Sequence, residues 1–138
     1  MTETVKKLLA QRALEVRQFS YSPYSGFAVG AALLCDDGTI FTGCNVESAA
    51  YSPTSCAERT ALCQAVSAGH RHFLAIAIAG GPAGKPPVSY CYPCGVCRQM
   101  LREFDSGKLE ILLVKTPEDT TLTTLAELLP HSFSAADL

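Results

Sequence analysis

Cys56-Ala57-Glu58-Arg59-Thr60-Ala61 and Pro93-Cys94-Gly95-Val96-Cys97 decide how this chain is read. Each places cysteine at the point where a loop gives way to a helix. Residues 57–68 follow Cys56 as a helix ending near Gly69, and residues 95–104 follow Cys94 as another. Between them, residues 73–79 form a short continuous apolar run of the kind that buried strands show, followed by a Gly/Pro loop over 80–87.

Working outward, residues 40–46 and 27–35 read as two strands joined by the turn Asp36-Asp37-Gly38-Thr39, a hairpin. Before them, Val5, Leu8, Leu9, Ala13, Val16 and Phe19 recur at helical spacing, and Tyr21-Ser22-Pro23-Tyr24-Ser25-Gly26 stops that helix. Toward the C-terminus, residues 109–114 read as a buried strand and 122–129 as a last helix before Pro130. The predicted order is α, β, β, α, β, α, β, α. It implies a three-layer α/β/α fold with a mixed sheet between helices. No repeat, linker or low-complexity segment interrupts it, so residues 1–138 read as a single catalytic domain.

Composition narrows the function. The chain is 48% apolar, with a formal net charge of -2 and a pI near 5.9. Its eleven Lys and Arg are scattered, which is not the basic footprint that a phosphate backbone demands. The expected substrate is therefore small, with no nucleic acid partner. Nothing approaches the ~18 consecutive apolar residues of a membrane span, and Met1-Thr2-Glu3-Thr4-Val5-Lys6-Lys7 lacks the apolar run of a signal peptide. A cytoplasmic, membrane-free setting is expected. There, seven cysteines clustered within 35–97 point to metal binding or catalysis more than to disulfides.

Cys56, Cys94 and Cys97 offer three thiolates, enough to hold zinc and leave its fourth tetrahedral position open, the mark of a catalytic site. Glu58, two residues after the first thiol, brings a proton carrier beside that position. Residues i and i+2 diverge on a regular helix. Cys56 and Glu58 converge only if the metal lies beyond the helix end. Unpaired N–H groups and the positive dipole ends there favour thiolates and, with Arg59, offset their surplus charge. Alternatives stay open at this level: C-x-x-C alone is also a redox pair, half a zinc site or two buried cysteines. Cys91-Tyr92-Pro93-Cys94 is a second such register, whose Cys91 as fourth ligand would close the site. Cys35, Cys44 and Cys63 read as small core residues, and no histidine receives a site role.

These residues resemble the zinc-dependent nucleobase deaminase signature in its three-cysteine form. More closely, the chain resembles the small, homotetrameric cytidine deaminases over nearly its whole length. Tyr24-Ser25-Gly26-Phe27-Ala28-Val29-Gly30-Ala31-Ala32, Gly43-Cys44-Asn45-Val46-Glu47, the two cysteine stretches with Arg98-Gln99, and Glu127-Leu128-Leu129-Pro130 carry that likeness in order. The resemblance implies one zinc per chain on Cys56, Cys94 and Cys97, proton transfer by Glu58, and charge compensation of the thiolates by Arg59. It implies substrate contacts from Phe27 on the pyrimidine, Asn45 and Glu47 on the ribose 3′-hydroxyl, and Ala57. Tyr51 and Phe133 would line sites shared between subunits of a homotetramer. The implied reaction is hydrolytic deamination of cytidine and 2′-deoxycytidine in pyrimidine salvage. Ser48 and Cys91 depart from the family pattern, at positions where Asn and Ser are common.

Overall fold

A computed structural model describes residues 1–138. Along the chain, α1 (Glu3–Arg17) is followed by β1 (Phe27–Cys35), β2 (Ile40–Cys44), α2 (Ala57–Ser67) and β3 (Phe73–Pro82). Then come α3 (Gly95–Arg102), β4 (Glu110–Thr116), β5 (Asp119–Thr124), the one-turn α4 (Leu125–Leu128) and a 3-10 turn at Ala135–Asp137. The strands form one sheet in the order β2-β1-β3-β4-β5, antiparallel except for the β3–β4 pair. The sheet is mixed, as expected.

Strand alternation sorts the core into two layers. Ala31, Leu33, Ile76, Ile78, Ile111 and Leu113 point to one face, where they bury Ala57, Ala61, Leu62 and Ala65 of α2 and Leu101 of α3. Ala32, Ala75, Ala77, Ala79, Leu112 and Val114 point to the other and bury Leu9, Ala10 and Ala13 of α1. The second face is built largely of alanine, so α1 can approach closely. At Gly30 the approach is closest: a Cβ there would stand 2.1 Å from the Ala13 carbonyl oxygen.

One strand differs from expectation. Residues 119–124 pair with β4 as an edge strand, and the predicted helix over 122–129 shrinks to the single turn of α4. Asp119-Thr-Thr-Leu-Thr-Thr124 offers little hydrophobic alternation, but its threonines suit a pleated edge. Thr124 is a cap and not a helical residue. Its side chain accepts from the Glu127 N–H while the Glu127 carboxylate accepts from the Thr124 N–H, a capping box. Cys63, expected in the core, lies instead on the exposed side of α2, whereas Cys35 is fully buried.

Arg17, at the end of α1, ties the layers together near the functional end of the sheet. It is 8% exposed, and its Nε, Nη1 and Nη2 donate to the carbonyls of Ala28, Lys85 and Pro82, each at 2.8 Å. No carboxylate lies within ion-pair distance of it. The guanidinium fork therefore pins the start of β1 to the loop after β3. Arg17→Ala leaves three carbonyls without their donors and is expected to cost about 3 kcal/mol in urea denaturation. Arg17→Lys recovers only part of that, since one ammonium cannot reach three carbonyls in fork geometry. Full stability in Arg17→Ala would show the clamp to be dispensable.

Candidate active site

The first residue of β1 and the last residues of β2 and β3 meet at one end of the sheet, and α2 and α3 both begin there. Cys56 and Cys94 are the N-cap residues of those helices, with extended backbones (ψ 156° and 165°) and no side-chain capping bond. A Ser or Asp at an N-cap spends its oxygen on the helix. Here the thiols stay free and project beyond the helix ends. Cys97 enters from the first turn of α3, and the three Sγ atoms lie within 4.8 Å of one another, Cys56 and Cys94 at 3.7 Å.

The donor set fits zinc: three thiols, all unpaired, from two helix starts. Cys56 is already biased toward thiolate. Hydrogen bonding from Cys97 and then from Arg59 pulls it down to about 5. Its neighbour Cys97 is pushed the opposite way, by the contact with Cys56 and by burial. Arg59 Nη2 reaches Cys56 Sγ at 3.6 Å and the Thr54 carbonyl at 3.2 Å.

Glu58, in the first turn of α2, is 4% exposed. Burial, and next the charge of Cys56, raise its carboxyl above the ordinary range. It faces a cavity of about 300 Å³ together with Phe27, Asn45, Glu47, Ala57 and Cys94. Such a volume suits a small ligand.

The two polar residues after β2 are both hydrogen-bonded within the chain, Asn45 buried and Glu47 at the surface. The Asn45 amide is buried, its Oδ1 accepting from the Val29 N–H at 2.9 Å and from Ser20 Oγ, its Nδ2 donating to the Phe27 carbonyl at 2.8 Å. Glu47 accepts from the N–H groups of Tyr24 and Ser25 at 3.0 Å each and from Ser25 Oγ. Those Ser25 bonds hold its carboxylate below the usual range. Both side chains shape the mouth of the cavity, and each keeps spare capacity, one N–H on Asn45 and lone pairs on Glu47.

Tyr51 and Phe133 stand apart from this cavity. Tyr51 is 72% exposed in the left-handed region (φ 56°), edge-on to Tyr24, in a neighbouring hollow that shares Ser25, Glu47 and Thr54 with the main one. Phe133 is 59% exposed, its carbonyl accepting from Gln99 Nε2. Cys91 lines the cavity but lies outside the three-thiol group, packed so closely on β3 that a Cβ on Gly80 would meet its Sγ at 2.6 Å. Ser48 donates its N–H to Thr54 Oγ1 and bonds the Ala50 N–H, bracing the loop before Cys56. Ser20, Ser25 and Thr54 are site residues that sequence reasoning missed. Ser20 and Ser25 act as hydrogen-bond partners of Asn45 and Glu47, distant along the chain, while Thr54 braces the nearby Ser48 and Arg59, and no local pattern marks any of the three.

Three thiols and a buried carboxyl at paired helix starts, over a mixed sheet, are the residue set of the zinc-dependent nucleobase deaminase signature. Residues 3–113 match the family model described as the cytidine and deoxycytidylate deaminase zinc-binding region. The cytidine deaminase of Sporosarcina psychrophila is 50% identical over 134 residues, covering 97% of this chain and 94% of that one. The cytidine deaminase of Halalkalibacterium halodurans is 42% identical over 133 residues, covering 96% and 97%. The crystal structure of cytidine deaminase from Burkholderia pseudomallei superposes with a TM-score of 0.83 at 42% identity, over 96% of this chain and all of that one. The chain belongs to the cytidine deaminase family.

Proposed function

We propose that this chain, acting as one catalytic unit, hydrolyses free cytidine and 2′-deoxycytidine to uridine and 2′-deoxyuridine plus ammonia, in pyrimidine salvage. The observation that carries the reading is Glu58, buried at the rim of the three-thiol group and facing a cavity sized for a small ligand. Cys56, Cys94 and Cys97 would hold one zinc per chain, whose Lewis acidity makes water a competent nucleophile at neutral pH. Arg59 offsets part of the thiolate charge.

Glu58 moves the protons. It takes one from the attacking water as oxygen bonds to C4, and delivers it to N3. It then passes the remaining hydroxyl proton to the exocyclic nitrogen, and the C4–N bond breaks to release ammonia. A buried carboxyl with a raised affinity for protons suits both halves of this task. Phe27 packs against the pyrimidine, Ala57 lines the cavity beside Glu58, and Asn45 and Glu47 bind the ribose 3′-hydroxyl with their spare donor and acceptors. A site with placed polar partners rejects a ligand lacking the hydroxyl, because those groups would be left unpaired.

Tyr51 and Phe133 are proposed to complete neighbouring subunits' sites in a homotetramer. Their exposure, and their absence from the cavity of their own chain, support this. No helix is long and apolar enough to cross a membrane. Seven unpaired cysteines favour a cytoplasmic setting.

The deciding experiment follows loss of cytidine absorbance on zinc-quantified protein, with deoxycytidine and cytosine alongside. Turnover of both nucleosides and not of the free base is expected, at one zinc per chain. Faster turnover of another aminopyrimidine nucleoside would overturn the substrate, and a solution mass of one 14.7 kDa chain under active conditions would overturn the tetramer.

A further inference from the structure

At the opposite end of α2 from Cys56, the β1–β2 turn meets the α2–β3 connection at a second group of ligating side chains. Cys35 Sγ, a carboxylate oxygen of Asp37 and an imidazole nitrogen of His70 lie within 4.8 Å of one another. The deamination machinery uses none of them.

The three residues are held in place by the backbone around them. Cys35, the last residue of β1, donates its N–H to the Thr39 carbonyl at 2.8 Å and accepts from the Gly38 N–H at 3.1 Å. Asp37 Oδ1 accepts from the Thr39 N–H at 2.9 Å, which fixes the carboxylate over the turn. The His70 N–H bonds the Ala65 carbonyl at 3.0 Å, and its ring rests edge-on against Phe41. The Asp36 N–H donates to the His72 carbonyl at 3.1 Å, so turn and connection are joined on both sides of the cluster.

An ion pair alone does not account for this arrangement. His70 Nε2 pairs with Asp37 Oδ2 at 3.0 Å, which uses only two of the three ligating groups. The third member is a fully buried thiol. Burial, then Asp37 and Asp36, hold the proton on that thiol and push it up to about 11. The same two carboxylates attract a divalent cation, which would take the proton's place on sulfur.

Thiolate, imidazole and carboxylate together are a ligand set for borderline-soft ions. Tetrahedral zinc distances place ligand atoms about 3.3–3.8 Å apart, so closing the group takes roughly 1 Å. Asp37 and His70, both on surface turns, can supply that by side-chain rotation. The Asp37 side chain is 55% exposed, so water can fill the remaining position from the solvent side.

We propose that Cys35, Asp37 and His70 form a second, independent site for a thiophilic divalent cation, Zn²⁺ or Cd²⁺, which staples the β1–β2 turn to the end of α2.

The test is titration of the zinc-loaded protein with cadmium chloride, read by thiolate-to-cadmium charge-transfer absorbance and by bound-metal analysis. The unsubstituted chain is expected to take up one cadmium per chain more than Cys35→Ser. His70→Gln keeps the thiol, and because His70 is not in the core it tests the site without a cavity. It should bind the extra cadmium at least tenfold more weakly. Cadmium should raise the thermal midpoint of the unsubstituted chain by several degrees and leave that of Cys35→Ser where it was. Cysteines 44, 56, 63, 91, 94 and 97 are common to both proteins, so the difference in uptake isolates Cys35. Equal uptake by the two would overturn the site. So would disappearance of the extra equivalent in Cys63→Ser, which removes an exposed thiol elsewhere on α2. Unchanged cadmium affinity in His70→Gln would remove the histidine from the ligand set and overturn it too. Cytidine turnover does not enter these readouts, so they stand whatever the substrate proves to be.

Discussion

Glu58→Gln is expected to retain zinc and fold while losing about 10⁴-fold or more in kcat. The side chain is 4% exposed in the first turn of α2 and lines the cavity beside Cys56 and Cys94. Glutamine has nearly the same shape and can still hydrogen-bond, but it cannot accept a proton and give it back. In the proposed reaction the same carboxylate serves twice, once at N3 and once at the leaving nitrogen, so both transfers fail together. A second consequence separates chemistry from architecture. Burial disfavours the charged carboxylate, as the raised proton affinity of Glu58 shows. Neutral glutamine removes that cost, so the thermal midpoint should equal or exceed that of the unsubstituted protein. Residual turnover within tenfold at full zinc occupancy would remove Glu58 from the proton path. Zinc loss with a lowered midpoint would instead make it a structural prop of the metal site.

Much of the site was legible in the sequence because its residues announce themselves locally. Cysteine in the N-cap position is an unusual choice, and two such helix starts, one followed by Glu58, single out the thiols that the fold brings together. The sheet was equally readable where strands are buried on both faces, as in residues 73–79 and 109–114. There, near-continuous apolar runs reflect helices above and below. Legibility failed where a residue's role depends on distant partners. Asn45 looked like a polar residue closing a strand, yet it is buried and joins Ser20, Phe27 and Val29 through one amide. Arg17 carries no signal of its own in the sequence, because its three acceptors lie 11 to 68 residues away. Cys35 and Cys63 are indistinguishable by type, and only the direction each faces separates a buried thiol from an exposed one. The edge strand β5 was hidden for another reason. With few apolar residues to alternate, its pattern gave no period, and the adjoining Thr124 cap lent its residues to an apparent helix.

Gly43→Ala is expected to cost about 3 kcal/mol and about 10²-fold in kcat/KM. Gly43 lies in β2, where α2 crosses at very short range. A Cβ there would stand 2.4 Å from the Ala61 nitrogen, 2.8 Å from the Ala57 carbonyl oxygen and 2.8 Å from Thr60 Cβ. Two of those atoms are helix backbone, which cannot rotate aside as a flexible side chain can. Either α2 or β2 must shift by roughly 1 Å to restore van der Waals distance. β2 is held in register against β1 from Ile40 to Cys44. The displacement therefore falls largely on α2, whose first turn carries Glu58 and whose N-cap is Cys56. The pair would move relative to Cys94 and Cys97 on α3, opening the metal group. Gly84→Ala supplies the contrast. Gly84 has a left-handed φ of 78° but nothing within 4 Å of a Cβ, so alanine there meets backbone strain alone. It should cost about 1 kcal/mol, with kcat/KM and zinc content unchanged. If Gly43→Ala proved as stable and active as the unsubstituted protein, the contact between β2 and α2 would be more yielding than these distances allow. Glycine at that position would then have no part in aligning the two halves of the site.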